Sequence, residues 1–147
     1  MKYSIDAVNE SEYTDIIDVW EASVRATHHF LKEADIEYYK PLILEKYLKA
    51  VKLKCVRNVE QKIIAFLGVA DCSVEMLFIH PDYIGNGIGK LLLGFAIKEF
   101  KITKVDVNED NIQALAFYEH FGFQTTGRSE SDSTGRPYPI LHMELRR

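Results

Sequence analysis

Gly85, Gly87 and Gly89 alternate in the segment Ile84-Gly85-Asn86-Gly87-Ile88-Gly89-Lys90, and an apolar helical pattern follows at once. Glycine permits positive φ and leaves backbone N–H groups unshielded. A helix starting directly after such a loop adds its own orphan N–H groups and the positive end of its dipole. Together these make a site for an anion, most often a phosphate. A Walker loop is excluded, because it ends in Gly-Lys-Ser/Thr and this segment runs Gly89-Lys90-Leu91. A dinucleotide loop needs G-x-G-x-x-G, and the spacing here is G-x-G-x-G. Asp106 does follow where a ribose-binding acid is expected, but the chain before the loop does not read as βαβ. A glycine-rich turn with packing duties only is the plain alternative.

Other reactive side chains are scattered. His28 and His29 are adjacent, so they rarely face one ion, and no third ligand stands at helical spacing; no metal site is expected. His80 precedes Pro81 at a strand end, and His120 and His142 have no suggestive sequence neighbours. Cys55 and Cys72 are too few for a disulfide framework, and Cys72 has no evident activating base nearby. Tyr138 stands between Pro137 and Pro139.

The elements that must position these groups follow from periodicity. Residues 2–8 alternate and read as a strand. Tyr13, Ile16, Ile17, Trp20 and Val24 share one helical face, with Ser11 or Asn9 as cap. Residues 27–34 read as a loop or helix end, and 35–51 as a second helix in which Pro41 marks a bend or boundary. Three β-like segments follow, LKCVRN, KIIAFLGVAD and SVEMLFIH, then the glycine loop and its helix to about Phe100. ITKVDVN is a further strand. NIQALAFYEHFG is a helix, capped by Asp110 or Asn111 and stopped by Gly122. FQTTGRSE and PYPILHMEL close the chain as a hairpin. The order β-α-α-β-β-β-α-β-α-β-β predicts a mixed α/β sheet with helices on both faces.

Composition bounds the function. A chain of 147 residues that is 47% apolar and 27% charged fits one globular domain, 1–147. A net charge of −4 argues against nucleic acid and is compatible with a cationic substrate. The N-terminal residues lack the apolar core of a signal peptide, and no apolar run approaches a membrane span. The expectation is a cytoplasmic protein with reduced thiols and no membrane partner.

Two segments together resemble the GNAT N-acetyltransferase family. Residues 84–89 occupy its acyl-CoA loop, Arg/Gln-x-x-Gly-x-Gly/Ala. Asn108 and then Asn111-Ile112-Gln113-Ala114-Leu115-Ala116-Phe117-Tyr118-Glu119-His120-Phe121-Gly122-Phe123 match its second hallmark. ATHHFL, MLFIHPD, FYEHFGF and GRSESDSTGRPYPIL narrow the resemblance to one bacterial branch, over nearly the whole chain.

The resemblance implies a fold: a mostly antiparallel sheet of six to seven strands, flanked by about four helices and splayed between the fourth and fifth strands. It implies acetyl-CoA as co-substrate, no metal, and an amine of a small molecule or peptide as acceptor in a ternary complex, in a monomer or homodimer. The alternative is a CoA-binding sensor or partner module without turnover, which Ile84 keeps open because it stands where the family has Arg or Gln. The loop's Gly85, Asn86, Gly87, Ile88 and Gly89 would hold the pyrophosphate through backbone N–H groups, with Lys90 partly replacing the missing side chain.

Amine acetylation needs a base for the amine, polarisation of the thioester carbonyl and an acid for the thiolate. Tyr118 is the family's acid; an ordinary phenol and thiol are close enough in acidity to share a proton. Leu77, Phe78 and Ile79 would pair with the pantetheine as an added strand, and Asn108, Asn111 and Phe117 complete the cofactor contacts. Glu75 is the first choice as base, because strict alternation puts it on the face of Leu77 and Ile79. His28 or His29 is the competing base or acceptor-orienting group, and Tyr138 an acceptor-recognition residue.

Overall fold

The computed structural model describes residues 3–146. In chain order its elements are β1 (Ile5–Ala7), α1 (Tyr13–Thr27), α2 (Glu33–Leu42), β2 (Lys52–Arg57), β3 (Ile63–Ala70), β4 (Ser73–Ile79), α3 (Ile88–Glu99), β5 (Lys104–Asn108), α4 (Ile112–His120), β6 (Phe123–Ser129) and β7 (Ile140–Leu145). Among the described residues these strands form one sheet in the order β1-β2-β3-β4-β5-β7-β6. All neighbours are antiparallel except β4 and β5.

The sequence of β3 explains its central place. IIAFLGVA is apolar throughout, and all but its last residue are buried. A strand covered on both faces needs such a run. One face packs on α3 and α4 through Leu92, Leu93, Ala96 and Tyr118. The other packs on α1 and α2 through Ile16, Trp20, Val24 and Ile36. Phe66 and Phe78 stack within this second layer, ring centroids 5.6 Å apart. Burying Phe66 completely contributes roughly 1.5–3 kcal/mol.

The predicted elements are present, with shifts at their ends. The predicted first strand starts at Lys2, outside the described residues, and its described part is short. Asn9 opens a 3₁₀ turn, Glu10–Glu12, that leads into α1, and its N–H donates to the Glu12 carboxylate at 3.0 Å. Pro41 does not end the second helix. The chain runs through it and widens into a π turn, Ile43–Tyr47, then tightens into a 3₁₀ turn, Leu48–Ala50. A proline removes one backbone donor, and irregular helix is the usual response. The last strand begins after Pro139, not at Pro137, since neither proline can donate to a ladder.

Two departures from regular pairing shape the middle of the sheet. The parallel pair β4–β5 has only two registered positions, Ser73↔Lys104 and Val74↔Val105. From there the strands diverge, so the sheet is splayed where the resemblance implied. The second is a bulge in β4. Gly68 pairs with Met76 and Val69 with Val74, which leaves Glu75 opposite no residue.

Candidate functional site

The splay leaves one edge of β4 free. Its other edge pairs with β3 from Met76 to Ile79. Alternate N–H and C=O groups of Glu75–Ile79 therefore face the gap toward β5 without a strand partner. The gap is a cavity of about 350 Å³, lined by β4, by Val105–Asn108 of β5, and by Asn111, Phe117 and Tyr118 from the start and middle of α4.

The glycine loop stands at its mouth. Gly85 and Gly87 have φ of 92° and 81°, and Gly87 is the N-cap of α3. A Cβ at either would meet nothing within 4 Å, so space is not the reason for glycine there; the left-handed backbone is. Among the described residues the N–H groups of Gly85, Gly87, Ile88, Gly89 and Lys90 have no backbone or side-chain partner. That is the arrangement an anion requires. Gly89 has a further duty. A Cβ there would come within 3.3 Å of Ile79 and Phe117, so it lets α3 lie close to both. Asn86 donates to the Tyr3 hydroxyl at 3.2 Å, which steadies the loop. Ile84 lines the cavity but is 51% exposed, and Lys90 is exposed on the first turn of α3.

Tyr118 is 6% exposed, wedged edge-on between Phe117 and Phe123. Burial pushes its phenol well above the ordinary value, so the close match to a thiol expected from sequence is widened. Its hydroxyl has no protein partner among the described residues, yet no sealed side-chain polar atom lacks one. It therefore reaches the open space of the cavity that it lines.

A second cavity, about 580 Å³, lies on the α1/α2 side of the sheet. His28, Glu75, Met76, Phe78 and Asn108 line both cavities, so the two meet at these residues. The bulge corrects the strict alternation by which Glu75 was placed. Val74 and Leu77 belong to the α3/α4 layer and Met76 and Phe78 to the other, which puts Glu75 at the crossover between faces. Bulges re-aim side chains in this way. Glu75 is exposed and makes no side-chain hydrogen bond or ion pair among the described residues.

The two histidines part company. His29 is exposed and lines neither cavity. His28 is 9% exposed and held at both ring nitrogens. Thr27 Oγ1 donates to the Ser23 carbonyl at 2.7 Å, so it must accept from His28 Nδ1, also at 2.7 Å. Asn111 Nδ2 lies 3.3 Å from His28 Nε2, while Asn111 Oδ1 accepts from Ala114 N–H as the N-cap of α4. The network assigns a neutral ring protonated at Nδ1. Burial, with His29 nearby, lowers its pKa to about 4. Asn111 thus joins α1 to α4 across 83 residues.

Tyr138 lines the second cavity from the loop before β7. Its hydroxyl donates to Asp35 and accepts from Lys32 N–H at 3.2 Å, and burial, aided by Asp35, raises its pKa. Arg136 donates to Asp35 at 2.9 Å and lies over the Tyr38 ring. The hydrogen bonds from Tyr138 and Arg136 hold the Asp35 carboxyl below its usual range. Sequence reasoning missed this clamp, since its members are about a hundred residues apart. It also passed over His142, which bridges Asp106 at 2.8 Å and Ser129 at 2.7 Å across β5, β7 and β6. Alternation along β5 does put Asp106 on the face away from buried Val105 and Val107, but no spacing announces the cross-strand tie. Neither cysteine lines either cavity.

The fold and this split sheet match a known class. Residues 21–146 match the acetyltransferase (GNAT) domain family, and the chain belongs to that family. Peptidyl-lysine N-acetyltransferase YjaB of Salmonella typhimurium is 35% identical over 143 residues, covering 97% of this chain and 98% of that protein. The solution structure of apo YjaB from Escherichia coli superposes with a TM-score of 0.89 at 33% identity, covering 99% and 98% of the two chains. PaiA N-acetyltransferase from Thermoplasma acidophilum, solved with coenzyme A, shares the fold at a TM-score of 0.73 and 21% identity over 100% of both chains.

The state of His28 has a measurable consequence. Between about pH 4 and pH 6.5 the unfolded chain binds a proton that the folded ring excludes. Stability therefore rises with pH across that window and is lost as pH falls, by at most about 1.4 kcal/mol per pH unit from this residue. Urea unfolding of the wild type and His28→Gln should show the wild type losing more stability than the variant over this window. Parallel losses would show that His28 protonates freely in the fold.

Proposed function

We propose that the protein transfers the acetyl group of acetyl-CoA to a primary amine of a small molecule or peptide, by direct attack in a ternary complex. The observation that carries this reading is the unpaired edge of β4. It runs from the open N–H groups of the glycine loop to Glu75, where the two cavities meet. A pantetheine arm laid along Leu77, Phe78 and Ile79 would take up backbone groups that otherwise stay unpaired. The free N–H groups of Gly85, Gly87, Ile88, Gly89 and Lys90 would hold the pyrophosphate, with no side-chain help needed from Ile84; the Asn86 N–H, expected to join them, is instead donated to the Tyr83 carbonyl at 3.3 Å. Asn108 and Asn111 lie at the far side of the gap, and Phe117 walls it. Acetyl-CoA supplies an activated thioester carbonyl.

Glu75 is the base in this reading. It is unpaired, reached from both cavities, and able to take the amine proton directly or through a water. His28 is a poorer base, because its free lone pair already accepts from Asn111. It orients instead, as a neutral wall between the two cavities. Tyr118 keeps its proton at neutral pH and donates a hydrogen bond toward the departing sulfur. A buried donor of this kind is worth more than the same donor in water. We read the chain as one domain of a cytoplasmic protein, a monomer or homodimer; its two cysteines are free thiols.

The direct test is release of CoA thiol when amines are added to the protein with acetyl-CoA. Binding of acetyl-CoA without any release would favour a sensor or partner module. Tyr118→Phe should lower kcat about 10²-fold or more while acetyl-CoA affinity changes little; an unchanged kcat would remove Tyr118 from the chemistry. Glu75→Gln should abolish the acidic limb of the pH–rate profile. A profile identical to the wild type would assign the proton to another group.

A further inference from the structure

The cavity on the α1/α2 side has a composition that limits what it can hold. Its floor and walls include Trp20, Val24, Ile43, Tyr47, Met76 and Phe78, with the polar groups of Tyr39, Asn108, Ser133 and Tyr138 among them. Among the described residues no lysine or arginine lines it, and its only acidic residues are Glu75 and Asp132. Asp132 is already satisfied. It accepts from Tyr39, from the Thr134 hydroxyl at 2.6 Å and from the N–H groups of Thr134 and Arg136 at 2.9 and 3.0 Å. Glu75 is the one lining carboxylate without a partner, and it stands where this cavity meets the other.

We infer that the acceptor is a free monocationic amine with an apolar or aromatic body, and not a polyamine or a lysine carried on a folded protein. This rests on the acetyl-transfer reading above and narrows it. The ammonium group goes to Glu75, where it loses its proton to become the nucleophile. The body goes inward, against Trp20, Ile43 and Tyr47. A volume near 580 Å³ falls within the range of small-molecule sites, about 300–1,000 Å³. It is far wider than the alkyl chain of a lysine needs. A second ammonium would have to leave water among these apolar side chains, where the one other lining carboxylate, Asp132, already accepts four hydrogen bonds.

The loop between β6 and β7 walls one side of this cavity. Asp132, Ser133 and Tyr138 line the cavity from that loop. Arg136 and Tyr138 tie it to Asp35 of α2, and Asp132 ties it to Tyr39. A peptide substrate would need that side open along its length.

The test has two parts. Calorimetric titration of phenethylamine and of hexylamine into protein saturated with CoA asks whether the chamber takes an apolar amine, without any turnover. CoA release then compares these amines with spermidine and with a lysine-containing peptide. The expected result is saturable binding of both amines, and kcat/KM at least tenfold above that of spermidine and the peptide. Tyr47→Arg, which puts a cation beside the bound body, should weaken the amines at least tenfold. Tyr47 does not line the first cavity, so unchanged acetyl-CoA affinity of this variant confirms that it is folded. No binding of either amine, or equal or better turnover of spermidine or the peptide, would overturn the inference. Failure of the wild type to bind acetyl-CoA would instead overturn the acetyl-transfer reading, and the amine titration would still report on the chamber.

Discussion

Two adjacent parallel strands that share only two paired positions govern this molecule. Up to Val74 and Val105, β4 and β5 belong to one sheet. Past them the backbone of β4 has polar groups on one side with no partner. Unpaired strand edges in a protein interior are costly, so a chain keeps one only where solvent or a ligand can take its place. Apolar layers cover both faces of the sheet, and one of them spans the gap from β3 to β5 and β7. α1 and α2 pack on one face of β3 and β4, while α3 and α4 pack on the other.

The bulge at Glu75 turns this gap into a meeting place. A regular β4 would commit Glu75 to one face of the sheet and to one cavity. With one extra residue opposite Gly68 and Val69, the strand changes phase there, and the carboxylate stands on the line between the cavities. The neutral ring of His28 closes the same line from α1. Its two hydrogen bonds are with groups that have other structural work: Thr27 bonds back into α1, and Asn111 caps α4. The site's polar residues are thus fixed by the ends of two helices and the middle of one strand, which are rigid supports.

The loop between β6 and β7 is held by a different principle. It carries no regular structure, and it is positioned by charge-assisted hydrogen bonds to Asp35 and by the Arg136 guanidinium over Tyr38. Such bonds are directional and stronger than neutral ones. They give an irregular segment a defined wall facing the second cavity. Because Asp35 lies in the first turn of α2, these bonds tie the loop to the start of that helix.

Much of this was legible in the residues themselves. Alternation and 3.6-residue periodicity marked the strands and helices. The glycine loop was legible because φ above zero is a local demand, met by local residue choice. Asn111 and Gly122 could be assigned as helix ends for the same reason. The GNAT resemblance likewise rested on contiguous motifs. What no local pattern carried were the relations between distant segments. The bulge depends on how β4 registers against β3, which Glu75 and its neighbours do not encode. The neutral state of His28 depends on burial and on an amide 83 residues away. The Asp35 clamp and the His142 bridge join side chains that only the folded sheet brings together. The sequence by itself determined the elements, the phosphate-holding backbone and the family, because those rest on interactions between near neighbours. Tertiary structure alone decided which charges are paired, which carboxylate is left free and how apolar the second cavity is, because burial and pairing are properties of the assembled layers.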